Sequence, residues 1–319
     1  MIDVPLDGIG PGFDALCGDG GAAVVERAVV AVHGPDAARY LQGQLSQDID
    51  DTSAPSTWSF ILQPTGRVSA WLRVHRVADE HFLLEVEPGH GEALAARVRR
   101  FLIRTKATID EPETQWLVAQ RRSLDRPVAP TTADAHAIPG ALLGTPVGPG
   151  VAGFDALFAS ETAARALAAE LGEVPAASLE RYRIAHGVPA MGAELTEDTI
   201  PGEVGAWVIA ASVSFTKGCY TGQELVARID SRGGNVPKPI RLLVFPDAPI
   251  GESPAVGDEV RLDGAVVGSI TSASPSLAIS SPALALGPLA RAVEIGAAVE
   301  VVGSNGVLRG LVAEPPVTN

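Results

Sequence analysis

The octapeptide KGCYTGQE at positions 217–224 constrains the fold of this chain more than any other stretch. It follows a β-prone run at 207–215 and precedes a helical pattern that begins at Leu225. Its two glycines suit a tight bend, because glycine accepts positive φ and a close approach of other backbone. Thr221 and Glu224 have the spacing of a capping box. The sequence therefore predicts a strand that turns through this octapeptide into a helix.

Cys219 lies inside this predicted turn, two residues after Lys217. The positive end of a helix and a nearby ammonium group both favour the reactive thiolate form of a cysteine. The alternative is a cysteine packed in a well-capped turn without any chemical role. Both interpretations stay open on the local sequence.

Composition limits the classes of function. The chain has 319 residues, 46% of them hydrophobic, which predicts two or three folded domains. A net charge of −14 argues against nucleic-acid or anionic-membrane binding through bulk electrostatics. One basic cluster stands out and is interpreted as the solvated face of a helix; it comprises Arg97, Arg99, Arg100, Arg104 and Lys106.

Cysteine content and the chain ends bear on the compartment. Cys17 and Cys219 are too few for a disulfide framework or a zinc site, and we expect no metal site. The first residues carry Asp3 and Asp7 instead of a basic and then apolar signal. No apolar run approaches the roughly 20 residues of a membrane span. We therefore expect a cytoplasmic protein that contacts no membrane.

The positions of glycine- and proline-rich stretches predict the domain organisation. Residues 1–120 read as a first α+β module with hairpins, and 121–150 as a linker or excursion. Within the first module, 1–20 are expected to form a loosely held arm, 22–32 strands around a turn, and 64–67 a turn between two antiparallel strands. A second α+β module covers 151–240 and includes a helix capped by Ser178. Residues 241–319 form a small antiparallel β-barrel, because Asp263-Gly264 and Asn305-Gly306 are strong hairpin signals.

Several motifs together resemble one known family. The octapeptide resembles the signature K-G-C-[FY]-x-G-Q-E of the YgfZ family, whose members are folate-binding proteins related to the glycine-cleavage T-protein. Five supporting segments occur in the same order, at 34–36, 41–49, 64–67, 183–189 and 201–203. The resemblance spans about residues 22 to 315.

The resemblance implies a fold and a function. The fold would be α+β, a ring of three modules with a C-terminal antiparallel β-barrel, and tetrahydrofolate or a one-carbon derivative would occupy the central hole. The function would be assistance to the assembly or repair of iron–sulfur clusters in client enzymes, with links to tRNA modification but no direct nucleic-acid contact. Folate and iron–sulfur client or assembly proteins would be the partners.

A second function within the same superfamily is a true aminomethyltransferase acting on a lipoyl-bound intermediate. Those enzymes orient folate with an aspartate after the third strand of the first domain, and no aspartate occurs in the corresponding stretch 85–92. Glycine-cleavage T-proteins also lack the cysteine signature. Both departures argue against aminomethyl transfer, although whether the chain is an enzyme at all stays open.

A bound folate would need acceptors for its pterin edge, a ring for stacking and cations for its glutamate. Glu203 and Glu194 are interpreted as the acceptors, with solvated loop acids as the alternative. Tyr220 or Trp207 would stack, unless these rings belong to the core. The predicted catalytic residues are Cys219 and Lys217, and the predicted cofactor-binding residues are Glu203, Glu194, Tyr220, Gln223, Glu224, Arg228, Gln44 and Asp48.

Two further classes of site have little support. A Cys–His hydrolase would pair Cys219 with His186 or His33, but nothing in the sequence brings these residues together. A phosphate-binding loop is disfavoured because Lys217 precedes the glycines and no G-K-[ST] follows.

Overall fold

The structure is a computed structural model that describes residues 16, 20–50, 56–124, 138–231, 233–277, 281–303 and 306–315. Most of the predicted N-terminal arm, Cys17 and Asn305 lie outside these residues. Within them, no helix is both long enough and apolar enough to cross a membrane.

Eight antiparallel strands form the first sheet, in the order β2-β3-β4-β1-β6-β8-β7, with the short β5 also pairing with β1. Their bounds are β1 Gly21–His33, β2 Thr57–Leu62, β3 Val68–Ala78, β4 His81–Val86, β5 Thr108–Ile109, β6 Glu113–Ser123, β7 Leu142–Gly144 and β8 Ala152–Phe158. The predicted hairpin through 64–67 is thus β2 and β3.

Strand β1 is continuous, so the prediction of strands around a turn at 22–32 is wrong. The strand pairs with β6 along its first half, and the register shifts between Arg27 and Val29. This bulge places one extra residue in the strand without ending it. Arg27 is accommodated there because its guanidinium pairs with the buried carboxylate of Glu85 at 3.2 Å.

The first sheet extends past the boundary that the sequence predicted for the first module. Strand β6 ends at Ser123, inside the predicted linker, and β8 pairs with it along its whole length. Strand β7 then pairs with β8 at the edge. The second predicted module therefore contributes strands to the sheet of the first, and the division into modules stays a prediction.

In the part of the chain that the structure describes, six α-helices accompany the sheets: α1 Ala37–Gln42, α2 Gly91–Arg99, α3 Glu161–Glu170, α4 Ala176–Ala185, α5 Ala206–Ser212 and α6 Gln223–Ser231. Helices α1 and α2 bury their apolar faces against β1, β3 and β4. Helix α4 begins directly after Pro175, so Ser178 lies inside its first turn and does not cap it as predicted. Proline fixes φ near the helical value and suits a helix start.

Helix α5 corrects the prediction of a β-prone run at 207–215. A 3-10 turn at Pro201–Val204 leads into it, and Val208 and Ser212, one helical turn apart, are both buried. Val208 packs in a cluster with Phe60 of β2 and Trp71 of β3. Burial at helical spacing outweighs the β propensity of the valine and isoleucine side chains here, because propensity differences are small.

Seven antiparallel strands form the second sheet, in the order β11-β10-β14-β15-β9-β13-β12. Their bounds are β9 Ile240–Phe245, β10 Glu259–Leu262, β11 Ala265–Ser269, β12 Ser272–Ser274, β13 Ala283–Pro288, β14 Ala298–Gly303 and β15 Gly306–Ala313. A bridge between Gly268 and Leu289 curls the β11 edge toward the end of β13. The predicted hairpin turn at Asp263-Gly264 is confirmed, with positive φ at both residues.

Helix α4 joins the two sheets. Arg181 on this helix is buried and donates hydrogen bonds to the hydroxyls of Ser274 and Ser281 and to the carbonyls of Pro275 and Pro282. A guanidinium shared among four acceptors fixes the curled sheet against the helix.

Candidate functional site

The octapeptide forms a tight turn ahead of α6. Gly222 has φ of 83°, and a side chain there would place Cβ 2.5 Å from the carbonyl of Gln63. Thr221 donates its backbone N–H to the Gly43 carbonyl at 3.2 Å. The turn is therefore pressed against two loops of the first sheet.

The capping box predicted for Thr221 and Glu224 is replaced by another arrangement. The carboxamide of Gln223 accepts a hydrogen bond from the backbone N–H of Tyr220 at 3.1 Å. Glu224 instead pairs with Arg228 one turn along the exposed face of α6. The side chains of Glu224 and Arg228 are thus engaged with each other.

Lys217 ties the turn to the amide-rich loop at 42–47. Its Nζ donates to the carbonyls of Leu45 at 2.8 Å and Gln47 at 2.9 Å, and to Oε1 of Gln42 at 3.3 Å. Burial lowers the pKa of this ammonium to about 8. Because an ammonium group has three N–H donors, this arrangement occupies all of them.

Cys219 is a free, exposed cysteine at the apex of the turn. Its neighbour Tyr220 is buried among Phe60, Trp71 and Val226. The turn thus exposes its sulfur to solvent while anchoring the following ring in the core. An exposed thiol is open to a partner or a reagent.

The two predicted acceptors differ in their surroundings. Glu194 is 3% exposed, so the alternative of a solvated loop acid is wrong for it. Its carboxylate accepts from Arg183 and the Ala190 backbone at 3.0 Å, and from the hydroxyls of Thr271 and Ser272 at 2.6 and 2.7 Å. This acid joins α4 to the second sheet.

Glu203 is half-buried at the end of the 3-10 turn. Its carboxylate accepts from the backbone N–H groups of Ile200 at 3.0 Å and Lys238 at 3.2 Å. Burial raises the pKa of this carboxyl. Of the two remaining predicted ligands, Gln44 accepts from Arg97 at 3.1 Å and Asp48 accepts from Gln42 at 2.8 Å.

A cavity of about 430 Å³ lies between the first sheet and α4. Its lining residues come from β1–β3, β6, β8, α4 and the segments around 87, 146–151 and 188–190; they are Val25, Arg27, Trp58, Trp71, Glu87, Gln120, Arg122, Pro146, Val147, Val151, Asp155, Ala176, Ala177, Leu179, Glu180, Tyr182, Arg183, Val188, Pro189 and Ala190. None of the ten predicted site residues is among them, although Glu194 reaches the cavity through Arg183.

Glu87 is the lining residue that the sequence reasoning missed. It follows β4 directly and accepts a hydrogen bond from the backbone N–H of Met191 through Oε2. Burial raises its pKa, against the opposing effect of Arg27 and Arg183. The signal was available in the stretch 85–92, because an acid is present there; the prediction required an aspartate and did not consider a glutamate.

Two tryptophans form an aromatic wall of the cavity. The rings of Trp58 and Trp71 stack with centroids 4.3 Å apart and an interplanar angle of 24°. Their indole N–H groups donate to the Thr145 carbonyl at 2.8 Å and to the Ser212 hydroxyl at 2.9 Å. These bonds fix the orientation of both rings.

The polar floor of the cavity is a network of ion pairs. Arg122 pairs with Asp155 at 2.8 Å, and Asp155 also pairs with the fully buried Arg73. Despite their burial, the neighbouring cations lower the pKa of Asp155 and of Glu85 to about 2. Both carboxylates are therefore ionised at neutral pH. The described residues contain no group of three or more His, Cys, Asp or Glu side chains placed to hold a metal ion.

Structural comparison defines the class of fold. The chain superposes on the glycine cleavage system aminomethyltransferase T from Bartonella henselae with a TM-score of 0.70, covering 94% of this chain and 87% of that one at 18% identity. The mixed α and β architecture with two curled antiparallel sheets is that of the aminomethyltransferase T-protein, and this fold prediction is confirmed.

Sequence comparison finds similarity to iron–sulfur assembly factors and to a tRNA-modifying protein. The chain is 29% identical over 223 residues to the mitochondrial iron–sulfur cluster assembly factor IBA57 homolog of Pyricularia oryzae, covering 67% of this chain and 54% of that protein. It is 28% identical over 252 residues to IBA57 of Mus musculus, covering 72% and 66%. It is 27% identical over 228 residues to the tRNA-modifying protein YgfZ of Klebsiella pneumoniae, covering 65% and 66%.

These similarities support a YgfZ/IBA57 family, as the signature octapeptide predicted. No family model matches the chain. The chain spans about half the length of the first fungal relatives that it matches.

Proposed function

We propose that this protein binds tetrahydrofolate in the cavity and assists the assembly or repair of iron–sulfur clusters in client enzymes, with Cys219 as its reactive group. The observation that carries the folate part is the position of Glu87 beside the Trp58–Trp71 wall of the cavity. The names of the IBA57 relatives support the iron–sulfur part.

The residues of the cavity fit a folate. Its volume of about 430 Å³ lies in the range of small-molecule sites. Oε1 of Glu87 makes no hydrogen bond to the described residues, so it is available to accept one from the N–H edge of a pterin. The tryptophans would exclude water from that contact. When bound, tetrahydrofolate would supply nitrogen atoms that carry a one-carbon unit.

Cys219 would act at the surface, since it is exposed and does not line the cavity. Iron–sulfur clusters generally take four thiolates, so one cysteine cannot hold a cluster alone. Cys219 would lose its proton to solvent and supply one thiolate, while a client or assembly protein would supply the others. We also propose a cytoplasmic location, although the IBA57 relatives are named mitochondrial.

Calorimetric titration with tetrahydrofolate and its methylene and formyl forms tests the folate part. We expect at least one of these folates to bind. Glu87→Gln should weaken its affinity about tenfold or more, which is the usual effect of losing a charge-assisted hydrogen bond. Glu92→Gln, the same change on an exposed helix face, should have no effect. Glu203→Ala separates the two candidate sites. If Glu203→Ala loses folate binding and Glu87→Gln retains it, the acceptor predicted from the sequence is favoured over the cavity.

Rescue of a deletion strain tests the iron–sulfur part. We expect Cys219→Ala to bind folate normally and to fail in restoring the activity of iron–sulfur enzymes. Full rescue by this variant would remove the thiol from the mechanism. Absence of binding by all three folate forms would remove the cofactor.

A further inference from the structure

The loop after α2 carries a surface unlike the rest of the chain. Arg100, Arg104 and Lys106 are exposed, and Ile103 between them is 73% exposed, the highest value among the large apolar side chains of the described residues. No acidic residue occurs from position 93 to 109, in a chain of net charge −14. We call these four side chains the basic loop.

The three cationic side chains of the basic loop make no ion pair or hydrogen bond with other described residues. Arg100 lies over the ring of Phe101 at 5.8 Å, and the charge of Lys106 also acts on the Asp36 carboxylate. Two acids close to the loop pair with other arginines. Asp36 pairs with Arg39 at 3.1 Å and Glu111 pairs with Arg99 at 2.8 Å. Arg97 and Arg99 lie in the last turn of α2, as the sequence-based interpretation has it. Arg97 is not solvated, however, because it is half-buried and donates to Gln44 and to the Leu62 carbonyl. It does not explain the cations beyond the helix.

The basic loop is held in a defined conformation. The backbone N–H of Lys106 donates to the carboxylate of Asp36 at 2.8 Å, and the backbone N–H of Asp36 donates to the Lys106 carbonyl at 3.2 Å. Arg104 has φ of 52°, and the only other described residue besides glycine with positive φ is Asp263, in a hairpin turn that requires it. A surface fixed in advance loses little conformational freedom when a partner binds.

We propose that the basic loop docks an acidic segment of a partner protein that places an apolar side chain between its carboxylates. Charge complementarity selects acidic residues, and the exposed Ile103 selects an aliphatic neighbour. Nucleic acid fits less well, because the exposed aliphatic side chain of Ile103 offers no ring on which a base could stack. This inference does not depend on folate binding.

Fluorescence anisotropy with the full chain and a labelled peptide of alternating glutamate and leucine tests the proposal at low and at physiological salt. We expect the double variant Arg100→Glu/Arg104→Glu to weaken binding about tenfold or more. Arg291→Glu/Arg309→Glu makes the same change in net charge at exposed positions after β13 and in β15, and should weaken binding less than about twofold. Ile103→Ser should weaken the binding of this peptide and leave the binding of a polyglutamate probe unchanged.

Three outcomes would overturn the proposal. The first is no peptide binding at low salt. The second is equal weakening by the two double variants, which would mean attraction by overall charge alone. The third is tighter binding of unfractionated tRNA than of the peptide, lost in Arg100→Glu/Arg104→Glu, which would make this a nucleic-acid surface. Far-ultraviolet circular dichroism of each variant confirms that it is folded.

Discussion

Replacing Asp155 by asparagine should destabilise the protein far more than the same change at an exposed ion pair. The Asp155 carboxylate is 3% exposed and lies between Arg122 and the fully buried Arg73. After Asp155→Asn, the nearest carboxylate to Arg73 is Glu85, at 3.6 Å and shared with His75 and Arg27. Breaking a buried pair costs about 3–5 kcal/mol, and a retained amide oxygen favours the lower value. That is a large part of a typical folding free energy of about 5–15 kcal/mol.

Asp198→Asn is the matched control. Asp198 also pairs with an arginine, Arg67, but its side chain is 92% exposed. Solvent screens such a pair, so its loss should cost less than about 1 kcal/mol. Urea unfolding followed by circular dichroism gives both free energies at neutral pH, and an unchanged m-value shows that the denatured states are comparable.

The dependence on pH supplies a second test. The pKa of Asp155 is lowered from its usual 3.8 to about 2 by the two arginines, so the folded state favours the ionised carboxylate. This contribution, on the order of 2 kcal/mol, is fully present above pH 4 and is lost as the pH falls through 2. The gap between wild type and Asp155→Asn should therefore narrow over that window. Equal costs for the two asparagine variants, or a gap independent of pH, would refute the reasoning.

Two substitutions probe the signature turn by the same assay. Lys217→Met leaves the carbonyls of the 42–47 loop without their shared donor and should cost about 1–3 kcal/mol, whereas Lys238→Met at an exposed lysine should cost little; equal costs would show that Lys217 is no tether. Gly222→Ala, with φ of 83° and Cβ 2.5 Å from the Gln63 carbonyl, should cost more than Gly233→Ala, whose φ is 76° but whose Cβ meets nothing within 4 Å. Positive φ alone costs a non-glycine residue about 1–2 kcal/mol, and both variants carry this cost. The additional cost of Gly222→Ala therefore measures the close contact with the Gln63 carbonyl. Equal costs for the two variants would contradict that contact.

The parts of the fold that local signals determine could be predicted from the sequence. A turn at 64–67 between two β-prone runs gave β2 and β3, and Asp263-Gly264 gave the hairpin of β10 and β11. Elements that depend on distant contacts could not. The run at 207–215 has β-prone side chains, but it is helical as far as Ser212 because Val208 and Ser212 are buried against the first sheet.

The cavity was beyond sequence reasoning for a related reason. Its charged residues Arg27, Glu87, Asp155 and Arg183 lie far apart in the chain, and each becomes meaningful only beside the others. The octapeptide, by contrast, is a compact motif that is visible in the sequence, and half of the predicted site residues were taken from it. The roles of its residues in cofactor binding stay predictions, since the cavity is lined by other segments.

Arg183 shows how a family motif can serve assembly of the fold instead of ligand binding. It begins the supporting segment at 183–189 and lines the cavity, yet all five of its N–H donors are used. They are accepted by both oxygens of Glu180, by the Val188 carbonyl, by Glu194 and by the hydroxyl of Ser272. A folate carboxylate would have to displace one of these acceptors to reach Arg183. The guanidinium therefore holds α4, the 188–194 segment and the second sheet together around the cavity. In the proposed folate complex, the ligand contacts would fall to Glu87 and the two tryptophans.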